Sequence, residues 1–182
     1  SKPIIEQRVI RLRNGFYNAV FKNFGIDLRH LEQEVEEKTK LVRKPVSFSE
    51  REVSGNIVAL DGILNEGISQ SGLRDLCVAL GETDNVSQLK TRKLLQRIIA
   101  TKEGEDRAKD IIAPLFHLND LRVCFSHLLP DGETQKYKDS IVEAFGLSSF
   151  SEYRKMYDSL LMELYQLYKY LYVTDFRIQT TE

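Results

Sequence analysis

The stretch "EDRAKDIIAPLFHLNDLRVCFSHL", residues 105–128, decides the fold class of this chain. Ala108, Ile111, Leu115, Leu118, Phe125 and Leu129 recur at steps of three and four, the period of a helix with an apolar face. Ile112, Phe116, Leu121, Val123 and Leu128 spread apolar surface round nearly the whole circumference, so the segment reads as a central helix packed on several sides. One place in the main series is taken by Arg122. A guanidinium buried without partners is costly, so it must be paired, extended to an edge along its aliphatic stem, or set at a wet interface. Asp61, which borders the stripe Val53, Ile57, Leu60 and Leu64, is a candidate partner within the chain.

The same period runs through the rest of the sequence, and no segment alternates convincingly with period two. The chain is therefore expected to be all-α, a bundle of about seven or eight helices. A first helix is expected over 5–24, with Val9, Phe16, Val20 and Phe24 on one stripe and Gly25 as its stop. A second, over 27–43, carries Leu28, Leu31, Val35 and Val42 and ends before Pro45. Ser49 and Glu52 form a capping box for a third that reaches about Ile68. Leu73, Leu76, Cys77 and Leu80 make a short helix ending at Gly81, and "VSQLKTRKLLQRIIA", 86–100, makes another. After the helix over 105–128 come one over 133–145, closed by Gly146, and a last one over 150–173, for which Ser149 and Glu152 repeat the capping box. In that last helix Tyr153, Tyr157, Leu160, Leu164, Leu167 and Leu171 lie beside a second stripe of Leu161, Tyr165, Tyr168 and Tyr172. So wide a face suits a helix packed on two neighbours, with its tyrosine hydroxyls reaching the surface.

A length of 182 residues suits a single helical domain, 1–182, in which 1–44 forms a helical hairpin or arm and 45–182 the core. Hydrophobic residues at 42% and charged residues at 29% are those of ordinary soluble domains. No apolar run approaches the roughly 20 residues of a membrane span, and "SKPIIEQRVIRLRNGF" lacks a signal-peptide core, so no membrane association and a cytoplasmic location are expected. A formal net charge of -1 rules out a broad electrostatic attraction to nucleic acid. The local basic clusters are Arg8, Arg11 and Arg13, then Lys38, Lys40, Arg43 and Lys44, then Lys90, Arg92, Lys93 and Arg97; each reads first as a solvated helix face. Cys77 and Cys124 sit among apolar residues and read as buried free thiols. Gly-rich phosphate loops, HExxH or CxxC metal spacings and nucleophile elbows are missing from the sequence, and no metal or cofactor is expected.

Polar groups collect at the end of the 105–128 helix. His127 follows Arg122 by five residues, about 140° round an ideal helix. Pro130 disfavours helical geometry at Leu129, which places His127 in a last turn that can unwind and re-aim it. Asp120 shares the face of His127, while Asn119 and Ser126 flank Arg122. "LNDLRVCFSH" resembles the R-x4-6-H motif of the HEPN superfamily of small all-helical domains, with Arg122 and His127 at the motif positions.

The resemblance implies a HEPN-like, metal-independent endoribonuclease whose site forms at a homodimer interface, where two Arg–His pairs face each other. His127 would exchange protons with the ribose 2′-hydroxyl or the leaving oxygen, Arg122 would stabilise charge on the phosphate, and Asn119, Asp120 and Ser126 would support them. It also implies an RNA substrate, a 2′,3′-cyclic phosphate product, and a prokaryotic toxin or phage-defence setting with an antitoxin or a larger protein as partner. One position departs from the pattern: active members often carry a polar residue directly after the arginine, where this chain has Val123. The competing expectation is a non-catalytic helical dimerisation or interaction module of a larger protein. His30 and His117 have no arginine at the motif spacing and read as structural or surface residues.

Overall fold

The computed structural model describes residues 2–82, 84–126 and 129–179. Among them the chain is all-helical: α1 (Ile5–Phe24), α2 (Glu32–Leu41), α3 (Glu50–Asp61), α4 (Gln70–Ala79), α5 (Thr91–Glu103), α6 (Glu105–Ser126), α7 (Asp131–Phe145) and α8 (Tyr153–Val173). A π-helical turn, Gly62–Glu66, continues α3 without a break. The described residues hold no strand, only an isolated antiparallel bridge between Arg29 and Ile68. No described helix is long and apolar enough to cross a membrane.

The all-round apolar surface of α6 is spent on five neighbours: it packs against α3, the π turn, α5, α7 and α8. Leu118 and Leu121 are fully enclosed, and truncating such a leucine to alanine costs about 2–5 kcal/mol. Pro114 lies buried inside this helix, where it cannot donate to the carbonyl of Asp110. α1 lies along α8, and Val9, Phe16, Tyr17 and Val20 from the one join Leu160, Leu164 and Leu171 from the other in a shared core.

Several boundaries move from where the periodicity puts them, each for a local reason. α2 begins at Glu32 rather than 27, because Leu28 is buried in extended chain whose carbonyl accepts from Ser69 N, and Leu31 turns through φ 55°. α5 begins at Thr91 rather than 86, since Ser87 is held in an Asx turn by Asn85. At α3 the Ser49 hydroxyl caps Glu52 N as expected, but the Glu52 carboxylate turns back to Val46 N and Ser47. At α8 the expected box is not formed. Ser149 bonds Ser151, Glu152 accepts from Ser148 N, and the helix starts at Tyr153.

Two polar groups expected at the surface are inside. Arg13 is 1% exposed, stacked 4.4 Å from the Tyr17 ring centre, and donates to Gly67 O (2.7 Å) and Glu32 Oε1 (2.9 Å). The Tyr157 hydroxyl is also buried; it donates to Glu6 Oε2 (2.7 Å) and accepts from Asn56 Nδ2 (2.9 Å), which ties α8 to α1 and α3. Burial beside the Glu6 carboxylate drives the Tyr157 phenol far above its ordinary value.

Candidate functional site

Arg122 occupies the last turn but one of α6 and leaves the apolar stripe by reaching sideways to the π turn. Its Nε lies 3.6 Å from Asp61 Oδ2 and its Nη2 lies 3.9 Å from Glu66 Oε1. The side chain of Asp61 is 3% exposed, that of Arg122 37%. The arginine is thus both paired, as its place in the stripe demands, and open to solvent on one side. Both separations exceed a direct hydrogen bond, so the carboxylates hold the guanidinium by charge without consuming its donors.

The π turn makes this pairing. Asp61 and Glu66 are five residues apart, which on a straight α-helix sends them about 140° apart. A π turn closes hydrogen bonds from i to i+5 and so brings residue 66 back over residue 61. Two neighbours fix the turn. Asn65 Nδ2 donates to Asp61 Oδ1 (2.8 Å) and to the Leu115 carbonyl of α6 (3.1 Å). At its end Gly67 O accepts from buried Arg13. Gly67 has no room for a side chain: a Cβ there would press into the Ile63 carbonyl oxygen and come within 2.6 Å of Val35 Cγ2.

Charge around Asp61 is balanced rather than one-sided. Burial pushes its carboxyl above the ordinary value, opposed by the Asn65 hydrogen bond and then by Arg122, with Arg92 also lowering it. Lys38 Nζ approaches Glu66 from α2 at 3.7 Å. Arg92 and Lys93, at the start of α5, both lie over the Phe116 ring of α6, at 5.4 and 5.5 Å. Burial likewise raises Asp120, against the lowering effects of His117 and Arg92. The Asn65 Oδ1 and Arg92 Nε atoms are buried with no hydrogen-bond partner among the described residues.

Of the residues picked from sequence, Arg122 and its candidate partner Asp61 meet at this seam. Asn119 and Asp120 are half-buried on the preceding turn, and the Ser126 hydroxyl is turned onto its own helix, donating to Val123 O (2.9 Å). His127 lies outside the described residues. His117 points elsewhere, toward α7 and α8, with Nδ1 3.2 Å from Glu163 Oε2 and its ring edge-on to Phe145. Asp61 was legible as a partner of Arg122; Glu66, Asn65 and Arg92 were not. The available signal was that polar Asn65 and Glu66 follow Leu64 inside a stripe whose next apolar member is Ile68.

Comparison of the chain with models of known protein families, with curated proteins and with solved structures returned no match.

Proposed function

We propose that the chain is a HEPN-like endoribonuclease that cleaves RNA without a metal ion, through attack of the ribose 2′-hydroxyl on the adjacent phosphate. The observation that carries this reading is Arg122, a guanidinium anchored by Asp61 and Glu66 yet left partly open at the end of α6. An arginine so placed meets the need of the reaction: a fixed positive charge with spare donors for the extra negative charge on a pentavalent phosphate. His127, five residues on, supplies the proton-transfer group, and a homodimer that apposes two α6 ends brings a second pair to the same phosphate. The 2′-hydroxyl gives its proton to a His127 imidazole as the 2′-oxygen–phosphorus bond forms, the bond to the 5′-oxygen breaks, and that oxygen takes a proton, leaving a 2′,3′-cyclic phosphate and a 5′-hydroxyl. A cytoplasmic toxin or phage-defence role, with an antitoxin or larger protein as partner, belongs to the same proposal.

The test is cleavage of single-stranded RNA in EDTA, with the ends analysed for cyclic phosphate. Arg122→Ala and His127→Ala should each slow cleavage by at least about 100-fold without loss of fold, and light scattering should give a dimer. A folded wild-type protein that leaves varied RNAs intact, or one whose activity survives both substitutions, refutes the reading. A second reading, a non-catalytic helical interaction module, is favoured by one observation: two carboxylates lie within 4 Å of Arg122, which dilutes the charge it offers a phosphate.

A further inference from the structure

The connection between α2 and α3 is tightly held, yet it keeps aliphatic side chains in water. Arg43 exchanges hydrogen bonds with the Asn56 side chain, Pro45 is buried, and Val46 N and the Ser47 hydroxyl are bound by Glu52 at 2.8 and 2.9 Å. Despite this anchoring Val46 is 89% exposed and Leu41 67%. A loop fixed by so many hydrogen bonds is not free to fold these side chains away, so their exposure is a built feature of the surface.

Leu41 and Val46 border a groove of about 680 Å³ that runs against α3. Gly55 lines it, and a Cβ at that position would meet nothing within 4 Å. Glycine inside a helix weakens it, and here no contact within the chain asks for the missing side chain. On the same face of α3, Val58 continues the apolar line, 45% exposed.

The rim of the groove is basic. Arg43, Lys44 and Arg51 line it, and none of them has a carboxylate within 4 Å among the described residues. Glu52, the one acid among the described lining residues, has its carboxylate turned to the loop. Among the described residues no aromatic ring lines the groove. Phe48, in the same connection, is packed on Tyr157 and covered by the Arg154 guanidinium at 5.1 Å. Single-stranded nucleic acids are held by basic grooves that also offer rings for base stacking. Aliphatic anchors with a cationic rim instead complement an amphipathic helix whose polar face is acidic.

We propose that this groove docks an acidic amphipathic segment of a partner protein, its aliphatic side chains seated over Gly55 between Leu41 and Val46 and its carboxylates paired with Arg43, Lys44 and Arg51. This surface does not depend on the proposed RNA chemistry.

The test is titration of the ¹⁵N-labelled full chain with a synthetic helical peptide, leucine on one face and glutamate on the other. The amides that shift should fall between residues 41 and 58. Gly55→Gln, which fills the groove floor, and Arg51→Glu should each weaken binding by at least about tenfold, and added salt should weaken it further. Gly55→Gln removes a helix-interior glycine, so it tests the site without endangering the fold. Absence of shifts in 41–58 at millimolar peptide overturns the proposal. So does a single-stranded oligoribonucleotide that moves the same amides and is lost with the same substitutions. Shifts that follow protein concentration alone would give the groove to a second copy of the chain and overturn it equally.

Discussion

One substitution, made at two glycines of the same helical run, should act with opposite sign. Gly67 has an ordinary negative φ of -79°, so replacing it by alanine incurs no backbone penalty, and the whole effect is steric. The new methyl group would drive into the Ile63 carbonyl and approach Val35 Cγ2 to 2.6 Å, and Val35 is itself buried. Neither neighbour is the free end of a flexible side chain. Overpacking of this kind costs about 1–3 kcal/mol, and contact with fixed backbone puts Gly67→Ala at the upper end, about 3 kcal/mol. Gly55→Ala places the same methyl in open space on a helix interior and should gain about 0.5–1 kcal/mol. For a chain of this size each kcal/mol moves the melting temperature by about 2–4 °C, so the two variants should melt about 7–16 °C apart. Thermal and urea unfolding of both variants beside wild type would measure it. A Gly67→Ala protein as stable as wild type, or a Gly55→Ala protein less stable, would show that the close approach around the π turn is misjudged.

Other expectations concern the charged and polar groups inside the bundle. Arg122→Leu should destabilise by about 1–2 kcal/mol, between the values for exposed and buried pairs, because it leaves Asp61 buried without its cation; a neutral or stabilising result would mean the pairing contributes nothing. Asp61 has a folded value raised by burial, so its contribution to stability is greatest below its ordinary value of 3.8 and is lost as pH rises through the folded value. The stability of Asp61→Asn relative to wild type should therefore increase from acid toward neutral pH, and a decrease in urea-melt comparisons across that window would contradict the assignment. Tyr157→Phe strips buried Glu6 of its donor and should cost about 2–4 kcal/mol by chemical denaturation, while a loss under 1 kcal/mol would mean that Glu6 finds another partner. Burial pushes the Cys77 and Cys124 thiols up to about 11, so both should react with a disulfide reagent at pH 8 only after unfolding; rapid native-state labelling of either would refute this.

How far the sequence carries the fold depends on whether an element is set by its own residues. α1 ends at Gly25 as read, since a left-handed closing residue is a local requirement that glycine meets. α2 fails at its start because Leu28, although in phase with the helix, is claimed by a distant contact with the chain near Ser69. Arg13 looked like part of a solvated basic face, and only tertiary packing shows that Gly67, Glu32 and Tyr17 converge on it. Likewise the tyrosines of α8 divide in a way that periodicity does not show. Tyr165 accepts from Arg8 near the surface, whereas the hydroxyls of Tyr157 and Tyr168 are buried, the latter with no partner among the described residues. At the candidate site the arginine and one carboxylate were readable, because an interrupted apolar stripe demands a counter-charge. The second carboxylate was not, because a change of helical pitch has no signature in residue type.

That change of pitch also makes the site a matter of chain length. A turn closed from i to i+5 holds one residue more than a turn closed from i to i+4, so the run from α3 through Glu66 is a helix carrying a single inserted residue. Deleting any one residue between Gly62 and Asn65 would let the run close as ordinary helix. Glu66 would then stand four residues from Asp61, about 40° round that helix, so both carboxylates would still share the face that meets Arg122. Homologous chains that lack the extra residue would therefore keep both carboxylates on the arginine, whereas a chain that keeps the residue but closes the run as ordinary helix would set Glu66 about 140° from Asp61 and hold the arginine by one. The mark of the site is therefore a pairing of spacing with pitch: acids five apart on a π turn, or four apart on an α turn.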